Sequence, residues 1–301
     1  MIHPNKVLML IRREFWENRS LLITPLVISG VMLISAAFSG GPMDGHGGLH
    51  FGPDMDGAAL ANADPAKRDG IYAGYIAVLT LVQLAVLGIV VFFYLLDCLL
   101  SERQDRSILF WKSLPISDAE VVLSKAATAL VLAPLIVLAV SAITQILFGA
   151  VLWLRFHDTA LAPWVTVWNP AVWLKVQVGS LALVPAVIVW YLPLAGYLLL
   201  VSVWARKRAF LWAVLPPVSV LLIEGMILQS HNFADFLGRR FAGAFMVMRF
   251  PQRDDDTLPT LGDFLSHVAR VFTHYETWVG VLVAGAFLVA VIRIRRYRDD
   301  S

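Results

Sequence analysis

The sequence has a single cysteine, Cys98, which excludes an internal disulfide and any thiolate metal cluster. It is also poor in charge: Asp, Glu, Lys and Arg make up 15% of its 301 residues, against about 25% in soluble domains. No G-x-x-x-x-G-K-[ST] phosphate loop occurs, so the chain cannot cradle a nucleotide in that way. H-E-x-x-H, G-x-S-x-G and a Cys/His pair at nucleophile spacing are absent as well. The net charge of +2 is nearly neutral and argues for no nucleic-acid partner. If the protein does work, the energy comes from a partner or from an ion gradient.

Apolar residues are what the sequence has in excess. They make up 58% of it, with a strongly positive mean hydropathy, and lie in long blocks. About 20 apolar residues span the hydrocarbon of a bilayer. Six stretches qualify: Leu21–Phe38, Ala73–Leu96, Ala127–Leu152, Val178–Trp204, Phe210–Leu228 and Trp278–Ile292, the last with a start that can lie near Tyr275. The first begins late and no small-residue cleavage site follows it, which points to a retained anchor. Pro134, Pro185, Pro193, Pro216 and Pro217 fall inside these stretches, where neighbouring helices can re-satisfy the freed carbonyls. Trp153, Trp190, Trp204, Trp212 and Trp278 cluster near the expected ends, as in an interfacial belt.

Lys and Arg concentrate on one side: residues 6–19, 103–125, 206–208 and 293–298. By the positive-inside rule both termini are cytoplasmic, which requires an even number of spans. The fold expected is an all-α membrane protein with six transmembrane helices. Residues 5–19, with Val7, Leu8, Ile11 and Phe15 on one face and Arg12, Arg13, Glu17 and Arg19 around it, suit an interfacial helix. The external segment 230–277 holds two short helical patterns, Phe233–Phe250 and Leu261–His274, lying on or dipping into the outer leaflet.

The loop Leu99–Lys125 carries mixed charges at Glu102, Arg103, Asp105 and Arg106, then a bulky run ending at Trp111 and Lys112. Leu114-Pro115 ends that segment and Ser117 is placed to cap the next helix. Such a surface suits docking into another protein's groove, or a connector lying flat on the membrane. Within the spans, Glu224 lies about 21 Å from the inner end of the fifth. It reads either as a substrate-path residue or as a carboxylate paired with Arg239 or Arg240. Asp97 is placed to pair with a loop arginine. Gln83 and Gln145 are mid-span polar residues that either glue helices or line a path. Met43, Asp44, His46, His50, Asp54 and Met55 are metal-ligand types, but their irregular spacing in a Gly/Asp/Ala stretch favours a solvated loop and no metal site.

The run Glu102 to Ser117, E-R-Q-D-R-S-I-L-F-W-K-S-L-P-I-S, resembles the signature loop of ABC-2 type transporter permeases. Those proteins commonly read E-R-x-x-G-[ST]-hydrophobic-hydrophobic-x-x-L-P-[IV]-S between spans two and three. The match departs at Arg106, where many relatives have Gly. The basic amphipathic N-terminal helix, six spans and external helical segment extend the likeness along the chain as one domain. The resemblance implies a permease subunit of an ATP-driven exporter in the cell's inner membrane. It implies a coupling loop at 99–125 in which Glu102, Arg103, Asp105, Arg106, Trp111 and Lys112 contact a separate cytoplasmic ATPase. That partner would bind the ATP and Mg, leaving no cofactor in this chain. A second permease copy or homologue would pair with it in the lipid and form the path for a drug, peptide or lipid, with Glu224, Gln83 and Gln145 as candidate path residues. An ion-coupled secondary transporter is the alternative, and it would call for repeated halves with midplane charges, which are not visible.

Overall fold

The computed structural model describes residues 4–38, 64–107, 116–158, 169–248 and 260–297. Among them the chain is all-helical and contains no strand. In order, the helices are α1 (Pro4–Glu17), α2 (Ser20–Phe38), α3 (Pro65–Asp97), α4 (Leu100–Gln104) and α5 (Asp118–Ala127). A π-helical turn, Thr128–Leu132, joins α5 to α6 (Ala133–Phe156). Then follow α7 (Pro170–Trp204), α8 (Ala209–Ile223) with a π turn at Glu224–Leu228, α9 (Asn232–Met248), α10 (Leu261–Thr273) and α11 (Tyr275–Tyr297).

Six of these units are long and apolar enough to cross a membrane: α2, α3 with α4, α5 with α6, α7, α8 with its π turn, and α11. They cover the six stretches expected from the sequence. Several run further than the apolar blocks, because a helix continues past the hydrocarbon wherever its first turn is well started. Pro65 and Pro170 occupy first-turn positions of α3 and α7, where the missing N–H costs nothing. Asn169 also caps α7, its side chain accepting from the Ala171 amide at 3.1 Å. Ser117 caps α5 as expected, in a reciprocal box with Glu120. The π turn lies just before Pro134. There the Ala133 amide reaches back five residues to the Thr128 carbonyl, easing the crowding a proline ring imposes on the preceding turn.

The spans alternate between two faces. At one, termed the charged face, lie α1, the ends of α3, α7 and α11, α4, and the starts of α5 and α8. At the other, Arg155 donates to the Ala36 carbonyl at 3.0 Å and Asn169 to Asp69 at 3.1 Å, tying the far ends of α2, α3, α6 and α7. The helices α9 and α10 pack along α7 within the length of the bundle. Phe264 of α10 fills the space where Gly179 has no side chain, and Arg240 of α9 lies over the Trp190 ring at 4.6 Å. Helices α7 and α11 approach closely because Gly196 faces Phe287 and Gly280 faces Pro193 and Arg240. The largest apolar core gathers Leu95, Leu96, Leu99, Val122, Leu198, Leu199 and Val291 beside the charged face.

Mid-bundle, polar side chains hold the helices together. The Gln145 amide nitrogen lies within hydrogen-bond distance of Thr80 (2.8 Å), Ser141 (3.1 Å) and the Ile76 carbonyl (3.2 Å), and its oxygen accepts from Trp173 and Gln177 at 3.0 and 2.7 Å. Gln83 donates to Ser29 at 3.1 Å, and Thr144 donates to the same hydroxyl at 2.7 Å. Both glutamines therefore join helices by interhelical hydrogen bonds.

Candidate functional site

Below the core, at the charged face, a buried network links five helices. Lys125 of α5 is 2% exposed, and its ammonium donates to Glu14 of α1 at 2.8 Å. It also lies 2.9 Å from Glu102 of α4. The second oxygen of Glu102 accepts from Arg295 of α11 at 2.7 Å, and the Arg295 Nε donates to Asp118 of α5 at 3.1 Å. The Tyr94 hydroxyl of α3 closes the other end, donating to Glu14 at 2.9 Å. Three carboxylates and two cations thus form one chain of charge-assisted contacts, buried except at Asp118, whose side chain is 25% exposed. Each carboxylate is matched by at least one cation, which is what makes burying them tolerable.

Sequence periodicity at α1 pointed to Val7, Leu8, Ile11 and Phe15. The structure instead buries Leu10 and Glu14, while Leu8 is 63% exposed. The helix turns its acid inward because Lys125 waits there. One signal could have found the pair: Lys125 sits in E-V-V-L-S-K-A-A-T-A-L, a single cation among small and apolar residues, and such a lysine needs an acid from another element.

A second set of bonds fixes the loop after α3. The guanidinium of Arg103 donates to the Ser202 and Ala205 carbonyls at 2.8 and 2.6 Å, at the end of α7. The Ser202 hydroxyl in turn accepts from the Leu99 and Leu100 amides at 3.1 and 3.2 Å. These two amides begin α4 and would otherwise lack intrahelical partners.

Of the six residues expected to contact a partner, Glu102 and Arg103 are therefore turned inward and committed to the fold. Asp105 and Arg106 are exposed. The Asp105 carboxylate accepts from the Ser107 amide at 2.9 Å, which holds its pKa below the usual carboxylate range. Arg106 has φ of +61°, the left-handed region that favours glycine. Trp111 and Lys112 lie outside the described residues, as do the histidines and methionines of the first outer loop.

Two pairings raised by the sequence, one for Glu224 as an alternative to a path role and one for Asp97, do not form. Glu224 meets neither Arg239 nor Arg240. Its carboxylate accepts from the Phe233 amide at 2.9 Å, the Ala234 amide at 3.3 Å and the Ser230 hydroxyl at 3.0 Å, so it caps the start of α9. A free helix N-terminus is a nearer and better-matched partner than a long arginine side chain further along. Asp97 makes no ion pair with a loop arginine among the described residues: Arg103 is held by α7, and the Asp97 side chain stays exposed.

The fold and this network define a multi-pass α-helical membrane protein with a charge-locked loop at one face. No family model matches the chain, and no curated protein or solved structure matches it either.

Proposed function

We propose that this chain is the membrane-spanning permease subunit of an ATP-driven ABC exporter, working with a separate cytoplasmic ATPase and a second permease copy or homologue. In this reading it sits in the cell's inner membrane with the charged face and both termini in the cytoplasm. ATP and Mg belong to the partner, and the cargo is a hydrophobic or amphipathic molecule. The sequence support is the resemblance of Glu102–Ser117 to the ABC-2 coupling loop. The structural observation that carries the reading is the way this loop is anchored. Glu102 connects it through Lys125 to α1 and through Arg295 to α11, and Arg103 connects it to α7.

Such anchoring gives a push on the loop somewhere to go. A partner pressing on Asp105, Arg106 and the following Trp111 would displace α4 as a unit, because its first amides and both its inward side chains are bonded. The displacement passes to the ends of three spans at once. Buried charge pairs suit this task, since sliding them apart exposes uncompensated charge and favours two discrete arrangements over a soft deformation. Arg106 fits the same picture: a left-handed residue just past the end of α4 stops the helix there. An ion-coupled carrier is less well supported, because among the described residues the buried carboxylates lie at or near helix ends.

The test is affinity purification of the full-length tagged protein in mild detergent, with ATPase assay and identification of the bound fraction. A phosphate-loop ATPase should co-purify with the parent and be lost from a Trp111→Ala, Arg106→Glu variant. It should stay bound to Arg295→Met, whose fault lies behind the contact surface. Recovery of the folded protein with no ATPase would contradict the proposal.

A further inference from the structure

A cavity of about 910 Å³ opens at the charged face between α1, α3, α4 and the start of α8. That size lies within the range of small-molecule sites, about 300–1,000 Å³. Its upper wall is apolar and belongs to the spans: Ile89 and Phe93 of α3 and Phe210 of α8. Ile89 and Phe93 are 59% and 53% exposed, and Phe93 stacks on Phe210 at 6.0 Å. Its lower wall is charged. A ligand for it must therefore be apolar along one part and polar at the other.

The charges that line it decide which polar part. Glu14 is taken by Lys125 and Tyr94, and Glu102 by Lys125 and Arg295. Glu17 is bonded to Arg13 at 2.6 Å, and Asp105 to the Ser107 amide. Two charged side chains on the lining remain with no hydrogen bond or ion pair among the described residues, and both are exposed: Asp97 at the end of α3 and Arg208 at the start of α8. Arg208 is also the residue preceding α8, whose first amides and dipole add to the attraction for an anion.

We propose that this groove binds a zwitterionic phospholipid bearing a primary ammonium, its chains against Ile89, Phe93 and Phe210, its phosphate at Arg208 and its ammonium at Asp97. An anionic lipid would satisfy Arg208 and leave Asp97 facing a like charge. A choline lipid would bring a cation with no N–H for Asp97 to accept. A water-soluble partner is a poorer occupant, since the apolar wall is a membrane-spanning stretch of α3. The site is independent of the permease reading.

Native mass spectrometry of the full-length protein in detergent tests it directly. The titrants are dioleoylphosphatidylethanolamine, its N,N-dimethyl and choline counterparts, and dioleoylphosphatidylglycerol. The ethanolamine lipid should be retained about fivefold more than the choline lipid, the size of the one net hydrogen bond that choline cannot donate. Asp97→Asn should erase that preference and leave choline-lipid binding intact. Arg208→Gln should weaken both. Equal retention of all four lipids means an annular lipid shell only and overturns the proposal. So does a preference for phosphatidylglycerol that Asp97→Asn leaves unchanged. Should either variant fail to purify, the ranking of the four lipids on the parent protein still decides.

Discussion

Replacing Lys125 by methionine keeps the length and most of the volume of the side chain but deletes the one cation shared by two buried carboxylates. Glu14 would keep only the Tyr94 hydroxyl, and Glu102 only Arg295. The five groups carry a formal charge of −1 (Glu14, Glu102 and Asp118 against Lys125 and Arg295), and the substitution makes it −2. Removing one partner of a buried pair costs about 3–5 kcal/mol. For a chain of this size that corresponds to roughly 5–8 °C in melting temperature. Glu14→Gln should cost less, since the amide still accepts from Tyr94 and Lys125 keeps Glu102. Combining the two restores the charge of −1, so the double variant should be more stable than the sum predicts, by about 1–3 kcal/mol of coupling. The assay is thermal loss of the monodisperse peak in detergent for the four proteins of the cycle. A Lys125→Met protein that melts within about 2 °C of the parent, or strictly additive effects, would refute the reasoning.

Arg106→Gly should stabilise the chain by about 0.5–1 kcal/mol by relieving a left-handed backbone, while Arg106→Val should destabilise it, both read as melting shifts. Equal melting of the two would show that the φ value there is not a constraint. Glu224→Ala removes the acceptor for the Phe233 and Ala234 amides, so hydrogen exchange at the start of α9 should accelerate while exchange in α7 does not. Gly179→Ala puts a methyl where the Phe264 ring sits and should cost about 1–3 kcal/mol, with Phe264→Leu in the same chain recovering much of it. Failure of that rescue would mean α10 does not pack on α7 as described.

The six long helices could be read from the sequence because a run of about 20 apolar residues has few other destinies. The capping residue Ser117 was legible too, since the S-x-x-E spacing is a local signal. Even the start of α11 near Tyr275 followed from the length a span requires. What was not legible depends on which helices become neighbours. Glu14, Lys125 and Arg295 are separated by more than a hundred residues, and each alone resembles an ordinary charge at a membrane boundary. Their pairing exists only once α1, α5 and α11 meet. Glu224 was noticed for its depth, but of its two readings, path residue or arginine partner, neither pointed to the start of α9, because the π turn that brings α9 back against it carries no marker in the sequence. Likewise Arg103 read as a surface cation, although the carbonyls at the end of α7 lie within its reach.

The central claim is that the loop beginning at Glu102 hands force from a partner ATPase to the spans. A photo-crosslinking amino acid placed at Trp111 in living cells, with the captured adduct identified by mass spectrometry, tests that contact most directly. The account predicts a crosslink to a phosphate-loop ATPase, and the same crosslink when Arg295 is replaced by methionine. Adducts to lipid alone, from a protein that is folded and inserted, would contradict it.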